Sequence, residues 1–196
     1  MAATALEARA VRRELPAARV VETGIGLAQT SGSAFGQVVI SCGLAGGLRD
    51  EIASGTVLVP DYVRRLDGSR VRCDDALVAA LIDAARSLGF EPVVAPLFTS
   101  TTIVCGAERR ELADLGYAGV DMETGLIDAS RLAAVRVVLD TPSRELSADW
   151  AHAASALLRP RNWPQAVRLA RDAPRCARRA AQVLARALKQ LHPPSS

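Results

Sequence analysis

Short apolar runs alternate with segments of helical periodicity along most of the chain. The apolar, β-branched runs predict strands at residues 19–22, 37–42, 56–60, 120–122 and 134–140. Apolar residues at helical spacing predict helices at residues 5–15, 74–88 and 108–115, and another that begins within 123–132. One or two further strands, broken by Pro96, are expected within residues 91–104. Because strands and helices alternate in this way, the chain is predicted to be an α/β protein with a central sheet.

The composition of the chain changes after Asp149. Residues 159–164 are rich in turn-forming residues, and two helices divided by Pro174 are predicted to follow, since proline suits the first turn of a helix. In the second helix the basic residues favour one side: Arg175, Arg178, Arg186 and Lys189. The apolar residues favour the other side: Ala177, Ala180, Val183, Leu184, Ala187 and Leu191. The chain is therefore divided into a domain at residues 1–158 and a basic helical extension at residues 159–196.

The net charge of +3 hides an uneven distribution. Residues 159–196 hold nine basic residues against one acid, Asp172, for a net charge of +8, whereas residues 1–158 have a net charge of −5. The larger part offers no basic face of the size that nucleic acids require, and aromatic residues make up only 4% of the chain, so no nucleic-acid partner is expected. The extension is predicted to be separable from the domain and to contact an anionic membrane surface. The alternative is that its apolar side packs on the domain or on a second subunit.

The composition argues against several classes of protein. No apolar run approaches the roughly 18–20 residues that span a bilayer, and the first 13 residues lack the apolar segment of a secretory signal. The four cysteines stand far apart without a C-x-x-C pair, and the chain has only two histidines, so neither a zinc site nor a disulfide framework is expected. We expect a cytoplasmic protein, with contact to the inner face of the membrane as an option, and without a metal or an organic cofactor.

Glycines and acids cluster where predicted strands end, which is where open α/β sheets bind ligands. The clusters are T-G-I-G at residues 23–26, S-C-G-L-A-G-G at 41–47 and G-V-D-M-E-T at 119–124, and Asp140 ends the last predicted strand. Taken singly, a glycine pair is usually a turn, and a strand-end acid is usually a helix cap or a surface residue. Only the combination of these clusters points to a function.

In combination, these segments resemble the nucleoside phosphorylase and nucleosidase superfamily. The resemblance rests on T-G-I-G, I-S-C-G-L-A-G-G-L with G-T-V-L-V-P-D following, V-D-M-E-T and V-R-V-V-L-D, in that order, over residues 5–150. It implies a three-layer α/β/α sandwich with a central mixed sheet, a small-molecule nucleoside substrate and a homodimer. Residues 135–146, with the segment L-R-P-x-x-W-P-Q-A-V-R-L-A-R-D at 158–172, look most like the hopanoid-associated branch. That branch implies release of adenine from a lipid-linked substrate, adenosylhopane.

The resemblance also implies roles for individual residues. Asp140 is expected to protonate the purine at N7, and Glu7 is expected to activate a water molecule. Glu123 is expected to accept hydrogen bonds from the ribose hydroxyls, with Met122 packed against the ribose. The other expected substrate contacts are Gly24, Ser41, Gly43, Ile103, Val104 and Asp121. Such residue types suit cleavage of an N-glycosidic bond, because positive charge develops on the ribose and negative charge on the leaving base.

The chain departs from the family pattern at several positions. Only six residues precede Glu7, so the first strand is expected to be curtailed or missing. Leu139 and Leu44 stand where many relatives carry small polar residues, so the pocket is more apolar and another group must orient Asp140. Val38 stands where the phosphorylases carry an arginine, which favours hydrolysis over phosphorolysis. Phosphorolysis of a purine nucleoside, and a truncated, non-catalytic nucleoside-binding protein, remain the alternatives.

Overall fold

The structure, a computed structural model, describes residues 1–27, 37–152 and 156–191. In these ranges the strands are β1 (Val38–Gly47), β2 (Val57–Leu58), β3 (Tyr62–Arg64), β4 (Arg70–Arg72), β5 (Leu97–Thr99), β6 (Gly119–Asp121) and β7 (Arg131–Asp140). The helices are α1 (Ala5–Glu14), α2 (Asp75–Ser87), α3 (Gly106–Asp114) and α4 (Trp163–Leu191). None of the helices in these ranges is both long and apolar enough to cross a membrane.

The seven strands form one mixed sheet with the order β2-β7-β1-β6-β5-β3-β4. Neighbours are parallel in the pairs β1/β7, β3/β5 and β5/β6, and antiparallel in β1/β6, β2/β7 and β3/β4. The helices α1, α2 and α4 pack together on the sheet and enclose the main core, while α3 belongs to a second, smaller apolar cluster. The predicted fold class, a three-layer α/β domain with a central mixed sheet, is confirmed.

The strands β1 and β7 form the centre of the sheet, and each is longer than predicted. They pair in parallel from Val38 opposite Arg131 to Ala45 opposite Val138, with a register shift after Ala45. The prediction that the first of them ends at residue 42 is wrong, because the glycine-rich segment after it continues the strand as far as Gly47. Glycine has a low preference for strands. Here the backbone hydrogen bonds with β7, and with β6 at Gly46 and Gly47, outweigh that preference.

Two other predicted elements are wrong. The segment 123–132 contains only one 3₁₀ turn (Thr124–Leu126) before β7 begins, and not the start of a helix. Residues 19–22 form no strand, since only Glu22 pairs, in an isolated parallel bridge with Ala2. The hairpin of β3 and β4 was not predicted, although the Asp67–Gly68 pair between them is a typical turn sequence.

The first residues of the chain take part in the sheet without forming a full strand. The carbonyl of Met1 accepts a hydrogen bond from the amide of Cys42 at 3.0 Å, beyond the part of β1 that β6 covers. On the other side, the amide of Ala2 donates to the carbonyl of Val21 at 3.0 Å. Met1 and Ala2 thus form a short bridging segment that leads directly into α1.

The C-terminal helix α4 corrects two expectations. It is one continuous helix with Pro174 inside it, rather than two helices divided by that proline. Its apolar side lies in the main core against α1, α2, β1 and β7. The buried residues on this side are Cys176, Ala177, Ala180, Ala181, Val183, Leu184, Ala185 and Ala187. The helix is therefore not separable from the domain, and its buried stripe is not available to a membrane.

Candidate active site

A cleft of about 210 Å³ opens where the ends of β1, β6 and β7 meet the start of α1. Seven of the ten candidate residues line it: Glu7, Ile103, Val104, Asp121, Met122, Glu123 and Asp140. The remaining walls are largely apolar and include Leu44, Leu139 and Leu146. The structure therefore brings together acids that lie more than a hundred residues apart in the chain.

The other three candidate residues do not line the cleft. Ser41 is buried behind it and accepts a 2.7 Å hydrogen bond from Nη2 of Arg136. Gly24 is buried before the turn Ile25–Leu27 and has a positive φ of 72°. A Cβ atom at Gly43 would lie 2.3 Å from Oε1 of Glu7 and 2.5 Å from Nη1 of Arg136. The glycine at position 43 thus makes room for two charged side chains, and its contact with the substrate stays a prediction.

Glu7 is held in place by the N-terminus of its own helix. Its Oε2 accepts hydrogen bonds from the amide and the hydroxyl of Thr4, both at 2.8 Å, and the Thr4 hydroxyl caps the amide of Glu7 in return. Its Oε1 accepts a 2.8 Å hydrogen bond from the amide of Leu44 in β1. This capping box fixes the buried carboxylate between α1 and the end of β1.

Arg136 is the cation at the centre of the buried acids. It is fully buried in β7, and its Nη2 lies 2.6 Å from Oδ2 of Asp121 and 3.7 Å from Oε2 of Glu123. Asp121 also accepts a 2.7 Å hydrogen bond from the hydroxyl of Thr99 and one from that of Thr124. The carboxylate of Asp121 is therefore engaged inside the protein, and Glu123 is the less tightly paired acid of the two.

Burial raises the pKa of Glu123 to about 7, and the negative charges of Asp121 and Glu7 add to this effect. The Arg136 guanidinium and the amide of Gly26, which donates to Oε1 of Glu123 at 3.2 Å, act in the opposite direction. A carboxyl group with such a pKa changes its charge near neutral pH, so the cleft can gain or lose a negative charge there.

Glu123→Gln is expected to stabilise the fold at pH 8 and to leave its stability unchanged near pH 4. The pKa of Glu123 is about 7 in the folded chain and near 4.5 in the unfolded one, so its contribution to stability is present below pH 4.5 and is lost as the pH rises through 7. Glutamine does not ionise, and Arg136 keeps Asp121 as its partner. Thermal unfolding should therefore show a Tm gain of a few degrees at pH 8 that shrinks towards pH 4.

The matched control for this experiment is Glu51→Gln, because Glu51 is exposed on the surface. Its Tm difference from the parent chain should be small at both pH values. A Tm gain of Glu123→Gln that is the same at pH 4 and pH 8 would show that burial does not hold the carboxyl group in its neutral form.

Asp140 has a partner that the sequence analysis missed. Arg109 in α3 is only 1% exposed, and its Nη2 lies 2.5 Å from Oδ2 of Asp140. The amide of Leu146 donates to the same oxygen at 3.3 Å. Arg109 thus orients the acid that Leu139 cannot orient. The available signal was that Arg109 and Leu112, three residues apart, share the buried side of a short helix.

The pair of Arg109 and Asp140 is open towards the cleft. A Cβ atom at Gly46 would lie 2.9 Å from Nη2 of Arg109 and 3.1 Å from Oδ1 of Asp140, so glycine keeps this space free. Among the described residues, Nε and Nη1 of Arg109 have no hydrogen-bond partner, and a second acid, Glu145, lies 3.8 Å from Nε. Of the two carboxylate oxygens of Asp140, Oδ2 is therefore held by Arg109 and Leu146, and Oδ1 is available to a ligand.

No group of three or more histidine, cysteine, aspartate or glutamate side chains in the described ranges is arranged to hold a metal ion. Val38 is half exposed at the start of β1, and the stretch Val38–Ile40 contains no basic residue. The candidate chemistry of the cleft therefore consists of three buried carboxylates, Glu7, Glu123 and Asp140, with Arg109 and Arg136 as their cations.

A family profile and several solved structures are similar to this chain. The profile described as the phosphorylase superfamily matches residues 17–189 of the chain, which includes all of α4 except its last two residues. No protein of curated function matches its sequence significantly. Among solved structures, a 5′-methylthioadenosine/S-adenosylhomocysteine nucleosidase from Colwellia psychrerythraea 34H in complex with adenine is 18% identical, with a TM-score of 0.71 over 97% of this chain and 93% of that chain.

Two further solved structures are similar. The corresponding nucleosidase from Neisseria meningitidis, in complex with methylthio-immucillin-A, is 16% identical, with a TM-score of 0.71 over 96% of both chains. Futalosine hydrolase from Helicobacter pylori is 14% identical, with a TM-score of 0.68 over 96% of this chain and 95% of that chain. At these identities the likeness is one of fold.

Proposed function

Because this chain belongs to the phosphorylase superfamily, a group of enzymes that cleave N-glycosidic bonds, we propose that it releases adenine from a 5′-modified adenosine. The observation that carries this proposal is that three buried carboxylates, Glu7, Glu123 and Asp140, line one cleft with apolar walls. Nucleosidases of similar fold have been solved with adenine and with methylthio-immucillin-A, which supports the choice of base.

In the proposed reaction, the bond between C1′ of the ribose and N9 of the purine breaks, and its electron pair moves onto the base. Asp140 donates a proton to N7 and so neutralises the leaving base. A positioned proton donor of this kind contributes about 10²–10⁴-fold to a rate. Arg109 and the amide of Leu146 hold Oδ2 of Asp140, which leaves Oδ1 to face the base.

The other two carboxylates act on the sugar side. Ionised Glu123 accepts hydrogen bonds from the ribose hydroxyls and stabilises the positive charge that develops on the ribose. Glu7 accepts a proton from a water molecule, whose oxygen forms the new bond to C1′. One water is consumed, and the products are free adenine and the 5′-modified ribose. The rigid capping box around Glu7 supports this role, since a base must be positioned before its proton transfer.

Water is proposed as the nucleophile in preference to phosphate. A phosphate dianion is normally held by arginine forks and backbone amides. Here Val38 stands at the position expected for such an arginine, and Arg136 is engaged by Asp121 at 2.6 Å. For phosphorolysis, Arg136 would have to leave Asp121 in order to hold the phosphate.

The finer proposal for the substrate is adenosylhopane, an adenosine with an apolar lipid at its 5′ position. The resemblance of residues 135–146 and 158–172 to the hopanoid-associated branch suggests it. The leucines that line the cleft, Leu44, Leu139 and Leu146, support an apolar 5′ substituent, because burying apolar surface against them is favourable. A cytoplasmic homodimer is proposed as the working form, which light scattering after size exclusion would test.

The purified protein is expected to release free adenine from 5′-substituted adenosines, faster as the 5′ group becomes more apolar, and at the same rate with and without phosphate. The assay follows adenine and looks for ribose 1-phosphate derivatives, with inosine as the comparison nucleoside. Strict phosphate dependence would establish the phosphorylase alternative. A folded protein that binds these nucleosides but releases no adenine would establish the non-catalytic one.

A further inference from the structure

The solvent-facing side of α4 is apolar over its first two turns. Trp163 and Val167, one turn apart, are 59% and 73% exposed, and Leu158 just before the helix is 83% exposed. Leu157 is also exposed, and its carbonyl accepts a 3.1 Å hydrogen bond from Nε1 of Trp163, which joins this turn to the helix. We name Leu157, Leu158, Trp163 and Val167 the apolar patch. Large apolar side chains that are exposed this close together mark an interaction surface.

Arginines surround the apolar patch along the chain: Arg159, Arg161, Arg168, Arg171, Arg175 and Arg178. Residues 144–178 hold seven basic and three acidic residues, a net charge of +4. Asp149 pairs with Arg159 and Arg161, and Asp172 pairs with Arg171, yet the side chains of these three arginines remain more than half exposed. The surface thus consists of an apolar centre with a basic rim.

This surface is separate from the apolar side of α4 that packs on the sheet. The buried stripe from Cys176 to Ala187 already has its partners in the main core. Trp163 and Val167 lie nearer the start of the same helix and point away from that core, so the fold does not require them to be apolar.

The charge of the rim decides between two kinds of partner. A second copy of the chain in a two-fold symmetric dimer would place the same basic rim against itself, and like charges disfavour such contact. An anionic lipid surface offers the opposite charge to the arginines and an apolar interior to the patch. Tryptophan and leucine flanked by arginines are the residues that interfacial helices use.

We propose that the apolar patch and its arginine rim dock this protein on an anionic lipid bilayer. The side chains of Leu157, Leu158, Trp163 and Val167 enter the boundary between headgroups and acyl chains, while the arginines contact the headgroups. The helix lies on the membrane and does not cross it.

The docking surface lies next to the candidate active site. Oε1 of Gln165, between Trp163 and Val167, accepts hydrogen bonds from the amide of Ser147 at 3.1 Å and from Nε1 of Trp150 at 2.7 Å. Ser147 directly follows Leu146, which lines the cleft. A docked protein therefore holds the cleft close to the lipid. Delivery of a lipid-linked substrate by this route rests on the proposed function, whereas the docking itself does not.

The full chain is expected to float with vesicles of phosphatidylglycerol and phosphatidylcholine at low salt, and not with vesicles of phosphatidylcholine alone. Raising the ionic strength from about 0.01 M to 1 M shortens the Debye length from about 30 Å to about 3 Å, so flotation should be lost. Quenching of tryptophan fluorescence by lipids with brominated acyl chains reports whether the patch enters the bilayer.

The variant Trp163→Ala/Val167→Ala is expected to bind the anionic vesicles at least about tenfold more weakly, because it removes the two large apolar side chains that α4 contributes to the patch, Trp163 and Val167. Arg171→Gln/Arg175→Gln should weaken binding to a similar extent. The matched controls are Leu115→Ala, which changes a 71% exposed leucine at the end of α3, and Arg72→Gln, which changes an arginine on the exposed hairpin. Both controls should float like the parent chain.

Flotation of the double alanine variant equal to that of the parent chain would overturn the proposal. So would an absence of flotation together with light scattering that shows a dimer dissociated by Trp163→Ala, since the patch would then join two copies. Adenine release in solution is measured on the same variants and should not change. If the protein releases adenine but does not bind the vesicles, the proposed function stands and the docking proposal fails. If it binds the vesicles but releases no adenine, the docking proposal stands and the proposed function fails.

Discussion

Asp140→Asn is expected to lower kcat for adenine release by about 10²–10⁴-fold, because asparagine cannot donate a proton to N7 of the leaving purine. The substitution also removes the negative charge that pairs with buried Arg109, so a lower stability is expected beside the lower rate. The amide oxygen of the asparagine can still accept the hydrogen bonds that Arg109 and Leu146 donate to Asp140. The measurement is single-turnover release of adenine, with Tm as the check on folding.

Asp128→Asn is the matched control, because Asp128 is exposed and lies outside the cleft. Its kcat should equal that of the parent chain. If Asp140→Asn keeps most of the parent rate while its fold is unchanged, then Asp140 is not the proton donor. The proposal that the purine base binds next to Asp140 would then be wrong.

Arg109→Leu is expected to lower kcat by about 10–100-fold through a loss of orientation at Asp140. The guanidinium does not donate a proton itself, so Arg109 is a positioning residue for the acid. Removal of one partner of a buried ion pair also destabilises a fold, by about 3–5 kcal/mol in typical cases. Arg109→Lys retains the positive charge and is the variant that remains informative if Arg109→Leu does not fold.

A double-mutant cycle separates positioning from a purely structural role. If Arg109 acts through Asp140, its replacement should have little further effect on kcat in the Asp140→Asn background, since the acid is already absent. Adding Leu139→Ser to an Arg109 variant should recover part of the rate, because a hydroxyl returns next to Asp140. Equal losses of kcat for the Arg109 change in both backgrounds, with no recovery by serine, would contradict this role.

The positions of two acids of the cleft could be predicted from the sequence because each directly follows a strong strand pattern, whereas their roles rest on the family resemblance and stay predictions. The run from Val135 to Leu139 predicts a buried strand, and Asp140 ends it. The segment around Glu123 follows another predicted strand, and both acids lie in the cleft. Arg109 escaped prediction because its importance comes from a contact across 31 positions of the chain, which no local pattern records.

For Gly43, too, the sequence located the residue but not its contacts. A glycine after a strand is usually a turn or a place where a ligand approaches. In the fold, Gly43 lies inside β1. It has to lack a side chain because Glu7 and Arg136 occupy the space that a Cβ atom would fill. Which atoms fill the space next to a glycine depends on packing between distant segments, so the sequence could locate this glycine but could not tell what it accommodates.

By itself, the sequence determined the features that near neighbours control. Helix α2 begins at the predicted place because the side chain of Asp74 accepts a hydrogen bond from the amide of Leu77, and Gly89 follows its end with a positive φ. The amphipathic character of residues 175–191 was equally visible, since it depends only on spacing.

Only the tertiary structure decided what these elements pack against and where the longest of them end. Residue-by-residue pairing with β1 extends β7 back to Arg131, into a segment whose local pattern favoured a helix. Burial of one whole side of α4 likewise keeps Pro174 inside a single helix, because the core contacts of many residues outweigh one lost backbone hydrogen bond. Long-range burial and pairing, summed over a whole strand or helix, are larger than the local preferences that the sequence shows.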